Sequence, residues 1–500
     1  MTIQNSNSIS VNQPNLKGLS SLVLGLIVLS GCAVGPNYHQ PNVTAPAHWG
    51  EPMTGGETNS SSSVAAWWKN FNDPELDSLI ERAVKSNLDL TISAARVREA
   101  RAQYRVTSAD LWPTVGTSAS YERQLQSKNQ PIIGALPLPA SVPFENNVYQ
   151  AGFDASWEID VFGGKRRATE AAKAEVAAAE FGRRDTLVTL LGEAARNYVE
   201  ARGYQRQLTI ARQNITAQEE DLAITQDRFK HGLSSDLDVQ QAATLLATTR
   251  SQIPTLEMNL QTSIHRLGVL LAQPPGALLE ELSTVAPIPA APPEVPVGLP
   301  SELLLRRPDV QKAERQLAAA TAQIGVATAD LFPKFSLTGA VGYESVSASD
   351  WFAGASKFWS LGPTVQWNIF DAGRIRANIK VQNARQEQAL ANYEQTVLVS
   401  FEDVENALVG YAKEQVRRRS LEDAVKSSQE SLRLANQLYA NGLANFINVL
   451  DAERSLYQAQ DQLVQSERAV STNLISLYKA LGGGWENAER EAAFSSAQAK

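Results

Sequence analysis

At 500 residues with 43% hydrophobic and 20% charged side chains, the chain has the apolar content for a large folded core. Its formal net charge of −8 argues against nucleic acid as a partner. A single cysteine excludes an intramolecular disulfide framework, a four-cysteine zinc site and a paired-thiol redox motif.

Residues 1–31 read as a signal peptide. Lys17 precedes the apolar run "GLSSLVLGLIVLSG", which has the length of a signal-peptide core and is too short to span a bilayer. Leu29-Ser30-Gly31-Cys32 then reads as a bacterial lipobox, in which the thiol is acylated and the chain is cut before Cys32. Buried acyl methylenes contribute about 0.8 kcal/mol each, so several chains on one residue, palmitate among them, anchor it firmly. Ala33 after the cysteine, in place of an aspartate, fits outer-membrane sorting. No later run of 18 apolar residues predicts a transmembrane helix. Residues 32–74 follow as a lipidated N-terminal segment.

Beyond that segment the chain is one unit written twice. "TSADLWPTV" (107–115) matches "ATADLFPKF" (327–335), "SWEIDVFGGKRR" (156–167) matches "QWNIFDAGRIR" (366–376), and "FKHGLSSDLDVQQA" (229–242) matches "YANGLANFINVLDA" (439–452), in the same order. The first repeat covers 75–272 and the second 301–482, joined by the proline-rich stretch 273–300 and followed by a tail, 483–500. Each reads helix, strand, strand, long helix, tight turn, helix. Residues 33–74 and the tail, lying outside the repeat, are expected around its waist.

The strands are expected near 114–124, 147–160, 334–346 and 358–371. In the second, Tyr149, Ala151, Phe153, Ala155, Trp157 and Ile159 alternate with mostly polar or small residues. Period-two alternation with aromatic ends is the signature of a transmembrane barrel strand, although a soluble sandwich also alternates. Four strands cannot close a barrel, and an open edge in lipid leaves backbone groups unpaired. If the strands enter a membrane, several chains must share one barrel.

The long helices are expected at 165–231 and 374–441. Leu187, Ala194, Ala201, Leu208, Ile215, Leu222 and Phe229 fall seven apart. Val397, Val404, Tyr411, Val425, Leu432 and Tyr439 repeat the register, with Arg418 the exception. A sustained seven-residue period implies left-handed supercoiling, and about 65 residues at 1.5 Å each give roughly 100 Å. The partner positions are mixed, Leu191 and Tyr198 and then Gln205 and Arg212, which suits helices packed around a wide, wet space rather than a two-stranded zipper. Gly232 and Gly442 stand where a helix stop tolerates positive φ.

With "CAVGPNYHQP", "WWKNFNDPELDSLI", "DLFPKFSLTG" and "NGLANFINVLDAERSLYQAQ", the chain resembles the TolC/OprM outer membrane efflux family, nearest its NodT-type lipoprotein branch. The resemblance implies an α+β membrane protein: a homotrimer whose 12-stranded β-barrel is continuous with a 12-helix periplasmic α-barrel. It implies the outer membrane exit duct of a multidrug-resistance pump, with a periplasmic adaptor and an inner-membrane resistance-nodulation-division pump as partners. It places the periplasmic gate at Ile447 and Asp451, where converging carboxylates would favour cations. It places a latch between Tyr439 and Asp238. Gly232, Leu233, Ser234, Gly442, Leu443 and Ala444 match the tips that meet the adaptor.

An enzyme is not expected. His39, His48, His231 and His265 form no ligand-spaced pair, "VFGGKRR" is not a P-loop, and no GxSxG occurs. Glu158 and Asp160 read as barrel rim and lumen rather than an acid–base pair. No cofactor is expected beyond the covalent lipid on Cys32. Two other readings are a duct for secreted protein or metal ions and a non-conducting coiled-coil spacer lipoprotein, which would need no aromatic strands.

Overall fold

A computed structural model describes residues 33–50, 57–58, 65–125, 127, 145–292 and 295–486. Cys32, the signal peptide and residues 487–500 lie outside these. The elements run α1 (Pro74–Ser86), α2 (Leu88–Ala109), β1 (Thr114–Leu125), β2 (Glu145–Ile159), α3 (Gly164–Lys230) and α4 (Asp236–Leu270). Then come α5 (Pro300–Arg306), α6 (Pro308–Ala329), β3 (Lys334–Ser345), β4 (Lys357–Gln366), α7 (Arg374–Ala440) and α8 (Phe446–Ala480). The second set repeats the first, element for element. Both long helices, α3 and α7, have 67 residues, and both returning helices, α4 and α8, have 35. No helix among the described residues is long and apolar enough to cross a membrane.

One compact unit draws on residues 33–40, 100–125, 127, 145–175 and 317–389. Its centre is an antiparallel four-stranded sheet in the order β1-β2-β3-β4. The register sorts side chains cleanly, because successive strand residues point to opposite faces. Thr117, Phe153, Val341 and Trp359 lie in one cross-strand row, and Ala155, Gly339 and Leu361 in the next. Gly116, Asp154, Ala340 and Ser360 form a row on the opposite face. The apolar face is bare in the single chain: Phe153 is 60% exposed, Trp359 79% and Leu361 69%. A soluble sandwich would bury that face against a second sheet.

Aromatic side chains mark both ends of the sheet. At one end Tyr121, Tyr149, Trp351 and Phe352 make successive ring contacts, and Tyr343 meets Phe352. At the other, Trp157 Nε1 donates to Leu111 O at 3.0 Å, and Trp367 Nε1 makes the same bond to Leu331 O at 3.0 Å. β4 ends at Gln366, not near 371. The alternation continues through Trp367 and Ile369, but β3 begins at Lys334, opposite Gln366, and offers no partner beyond it. Asp160 is also reassigned. It lies past β2, and its carboxylate accepts from Lys165 N (3.2 Å) and Arg166 N (2.9 Å), capping α3. Asp371 caps α7 in the same way through Gly373 N and Ile375 N, and these donors hold its carboxyl below the usual range.

Residues 33–40 belong to this sheet-bearing unit and pack where β2 gives way to α3. Val34 N donates to Phe162 O at 3.0 Å, and Ala33 packs on Gly163, where a Cβ would collide with it. Arg167, only 5% exposed, donates to Val34 O, Gly35 O and Asn37 Oδ1.

The other unit takes residues 41–50, 57–58, 65–99, 176–292, 295–316 and 390–486. Its core gathers Trp67, Trp68 and Phe71 with Leu76, Leu79, Leu191, Tyr198, Tyr411 and Tyr478. Trp67 stacks on Tyr478 at 5.2 Å. Asp73 caps α1 with one carboxylate oxygen and accepts from Tyr198 Oη (2.8 Å) with the other. The heptad stripe is fully buried here, at Leu187, Ala194, Ala201 and Leu208 on α3 and Val397, Val404 and Tyr411 on α7. Nearer the turns, Ile215, Leu222, Val425 and Leu432 are only half-buried.

In each repeat the leading helix is broken, and the break residue receives the end of the returning helix. Asn87, between α1 and α2, donates from Nδ2 to Leu270 O at 2.9 Å. Arg307, between α5 and α6, donates from Nη1 to Ala480 O at 3.2 Å and to Asp403 at 2.9 Å, and from Nη2 to Asp309. The joints satisfy carbonyls that a helix end leaves unpaired. Asn87→Ala is expected to cost about 1–3 kcal/mol, the penalty of an orphaned buried acceptor. Arg307→Ala also removes charge-assisted hydrogen bonds to two partly exposed carboxylates and is expected to cost at least as much, about 1.5–3 kcal/mol. Denaturant melts of the solubilised protein check both the sizes and the order.

Candidate gate at the helix turns

The two turns have one geometry. In the first, Gly232 N donates to Phe229 O (2.9 Å) and Leu233 N to Arg228 O (2.8 Å). In the second, Gly442 N donates to Tyr439 O (3.0 Å) and Leu443 N to Leu438 O (2.9 Å). These paired bonds close a helix end when the residue after the cap is left-handed. Gly232 has φ +71° and Gly442 φ +70°, and a Cβ on either would meet nothing within 4 Å, so conformation alone selects glycine. Leu233 and Leu443 stand exposed at the tips, at 69% and 75%. Ser234 Oγ donates to Thr225 O at 3.2 Å, and Ala444 is half-buried.

Ile447 and Asp451 lie one turn apart on one face of α8. Ile447 is 37% exposed, and the Asp451 side chain is 64% exposed. The opposite face carries Phe446, Val449, Leu450 and Glu453, all buried. Phe446, Val449 and Leu450 pack with Ala242, Leu245 and Ala435, so the helix is pinned by its apolar side and presents Ile447 and Asp451 outward. Arg454 Nη1 comes within 3.5 Å of Asp451 Oδ1, a cation three residues away that the sequence reading passed over. On α4, Leu237 occupies the position matching Ile447 in the repeat and is 64% exposed.

The hydrogen bond expected between Tyr439 and Asp238 is not formed. Asp238 is engaged locally: its Oδ2 accepts from Ser235 N (3.1 Å) and Ser235 Oγ (3.0 Å), completing a capping box at the start of α4. Among the described residues the buried Tyr439 hydroxyl has no hydrogen-bond partner. Burial, chiefly, raises the phenol above its usual range; Asp238 and Asp221 add to the rise and Arg228 opposes it. What holds the ring is Arg228, whose guanidinium carbon sits 4.4 Å from its centroid, and Phe446, 5.2 Å away. Arg228 belongs to the last turn of α3, where a cation also complements the helix dipole. That position was the available signal.

No group of three or more His, Cys, Asp or Glu side chains among the described residues could hold a metal.

The model of the outer membrane efflux protein family matches residues 79–273 and 299–483, the two repeats. The chain belongs to the outer membrane efflux protein family. It is 33% identical over 460 residues to nodulation protein T of Rhizobium leguminosarum bv. trifolii, covering 92% of this chain and 96% of that one. It is 33% identical over 476 residues to the pyoverdine export outer membrane protein OpmQ of Pseudomonas aeruginosa, covering 95% and 98%. Among solved structures, the outer-membrane channel OprN superposes with a TM-score of 0.85 at 36% identity, over 91% of this chain and 100% of that one. As a family member the chain is an outer membrane efflux duct, and the sandwich alternative for its strands is set aside.

Two substitutions test the local account. Because the Tyr439 hydroxyl has no partner, Tyr439→Phe is expected to leave stability within about 0.5 kcal/mol of wild type. Breaking a bond to a charged Asp238 would instead cost about 1.5–3 kcal/mol. Gly442→Ala is expected to destabilise by about 1 kcal/mol or more, through left-handed strain alone. Thermal or denaturant unfolding reads both.

Proposed function

We propose that three copies of this chain close one barrel and form the outer membrane exit duct of a tripartite efflux pump. The sheet carries the reading. It has four strands, one bare apolar face, one polar face, and outer strands β1 and β4 that are each paired on one side only among the described residues. A sheet this narrow cannot close on itself, and unpaired edges in hydrocarbon cost several kcal/mol per group. Pairing β1 of one copy with β4 of the next gives twelve strands and removes every edge. The bare face then meets lipid and the Asp154 face meets water.

In this assembly Cys32 carries the acyl anchor, and residues 33–40 lead from it to the junction of β2 and α3. Leu233, Leu443 and their turns meet a periplasmic adaptor that is loaded by a resistance-nodulation-division pump in the inner membrane. Three Ile447 side chains form an apolar constriction and three Asp451 carboxylates an acidic ring, each partly offset by Arg454. Such a ring favours cations. Cargo passes without bond chemistry, as a channel function requires.

The test is planar-bilayer conductance of the purified protein, with its mass measured in detergent. A trimeric mass and small, cation-selective currents are expected, with Asp451→Ala giving larger or less selective ones. A monomeric mass, or membrane insertion without current, contradicts the duct assembly. A variant that conducts like wild type contradicts the gate assignment alone.

A further inference from the structure

Glu453 lies two residues past Asp451 on α8 and faces the other way. It is 8% exposed, with Leu450 (1%) and Leu456 (9%) each three residues away on the same helix. Its Oε2 is buried with no hydrogen-bond partner among the described residues. The charged group that acts on it is Asp221 of α3, another carboxylate. Burial first, then a bond to Asp221, then the charge of Asp221 push the Glu453 carboxyl up to about 9.

The pair has a place in a longer seam. Gln207 Nε2 of α3 donates to Asp461 Oδ1 at 2.6 Å, and Asn214 Nδ2 to Gln460 Oε1 at 3.4 Å. Asn214 and Asp221 on α3 are one heptad apart, as are their counterparts Gln460 and Glu453 on α8. The Asn214–Gln460 layer matches a donor with an acceptor. The Asp221–Glu453 layer sets acceptor against acceptor, unless one carboxyl keeps its proton and donates.

The other charged groups nearby are committed elsewhere. On α3, Arg228 covers the Tyr439 ring, and Glu219 is paired with Arg250 of α4. On α4, Asp238 is in its capping box. On α7, Tyr439 feels Asp221 but is a neutral phenol. On α8, Arg454 pairs with Asp451 on the outer face, and Tyr457 donates to Gln252 of α4.

We propose that Asp221 and Glu453 share one proton and form a pH-sensitive clasp, which holds α8 and the Ile447/Asp451 face against α3. The coupling to conduction rests on the gate reading above. The sign follows from the folded state binding the proton more tightly than an unfolded chain does. The clasp is intact on the acid side and is lost as pH rises through the raised range, where a negative charge on buried Glu453 facing Asp221 drives the helices apart.

The experiment uses the reconstituted full-length protein, from about pH 6 to about pH 9.5. Unfolding temperature and single-channel conductance are read for wild type, Glu453→Gln and Asp221→Asn. Wild type is expected to lose thermal stability and to gain conductance severalfold toward the alkaline end. Glu453→Gln, a permanent mimic of the protonated form, is expected to stay at the acid-side values throughout. Asp221→Asn is expected to move the transition to lower pH, since it removes the charge that raises Glu453. A wild-type pH slope of unfolding temperature in Glu453→Gln overturns the shared proton. A flattened stability slope beside an unchanged conductance slope overturns the coupling to the gate. If the conductance slope disappears in Glu453→Gln while Asp451→Ala conducts like wild type, the clasp stands and the gate residues have been misassigned.

Discussion

A strand edge in hydrocarbon leaves backbone N–H and C=O groups with no partner, and neither water nor side chains can make good the loss. Among the described residues the sheet has two such edges, on β1 and β4, beside an uncovered face of Phe153, Val341, Trp359 and Leu361. A membrane removes the cost of the bare face and raises the cost of the edges. Only edge pairing between copies satisfies both, so assembly is imposed on the sheet by its backbone. The tryptophans tied to Leu111 O and Leu331 O fix where the strands begin, and the capping aspartates 160 and 371 fix where the long helices leave.

The helical unit meets a different constraint. Returning helices of 35 residues must end inside a packed region without stranding their last carbonyls. Asn87 and Arg307 solve this at equivalent points of the two repeats with unlike chemistry, one neutral amide and one guanidinium held by Asp309 and Asp403. Around these joints the seven-residue stripe is buried. Toward the turns it thins, and polar contacts such as Asn214–Gln460 stand beside half-buried Ile215. Regions with thin apolar packing and polar seams are where a structure opens at least cost. Here that region carries Ile447, Asp451 and the exposed leucines of the tips.

Much of this was legible in the sequence, for reasons that differ by element. Period-two alternation placed the first three strands closely, because one face must be apolar throughout. The end of β4 was not legible, since Trp367 and Ile369 keep the rhythm after their partner strand has run out. The turns were readable from glycine. The latch bond is not formed in the single chain: resemblance speaks for Tyr439–Asp238, while the local spacing Ser235-x-x-Asp238 announces a capping box. The joints escaped self-comparison because Asn87 and Arg307 share a role and no chemistry, although Pro308 marks a break. Glu453 was invisible for another reason. Its importance lies in which way it points, and that depends on how far α8 has rotated against α3.

The most direct test of the central claim is a lipid-quenching scan of single fluorophores placed at successive positions of β1, β2, β3 and β4 in reconstituted bilayers. The account predicts quenching at alternate residues on all four strands, strong at 153, 341 and 361 and weak at 154, 340 and 360, with the outer strands as regular as the inner ones. Labels that are water-accessible on both faces, or an alternation lost on β1 and β4, would contradict a barrel closed by neighbouring copies.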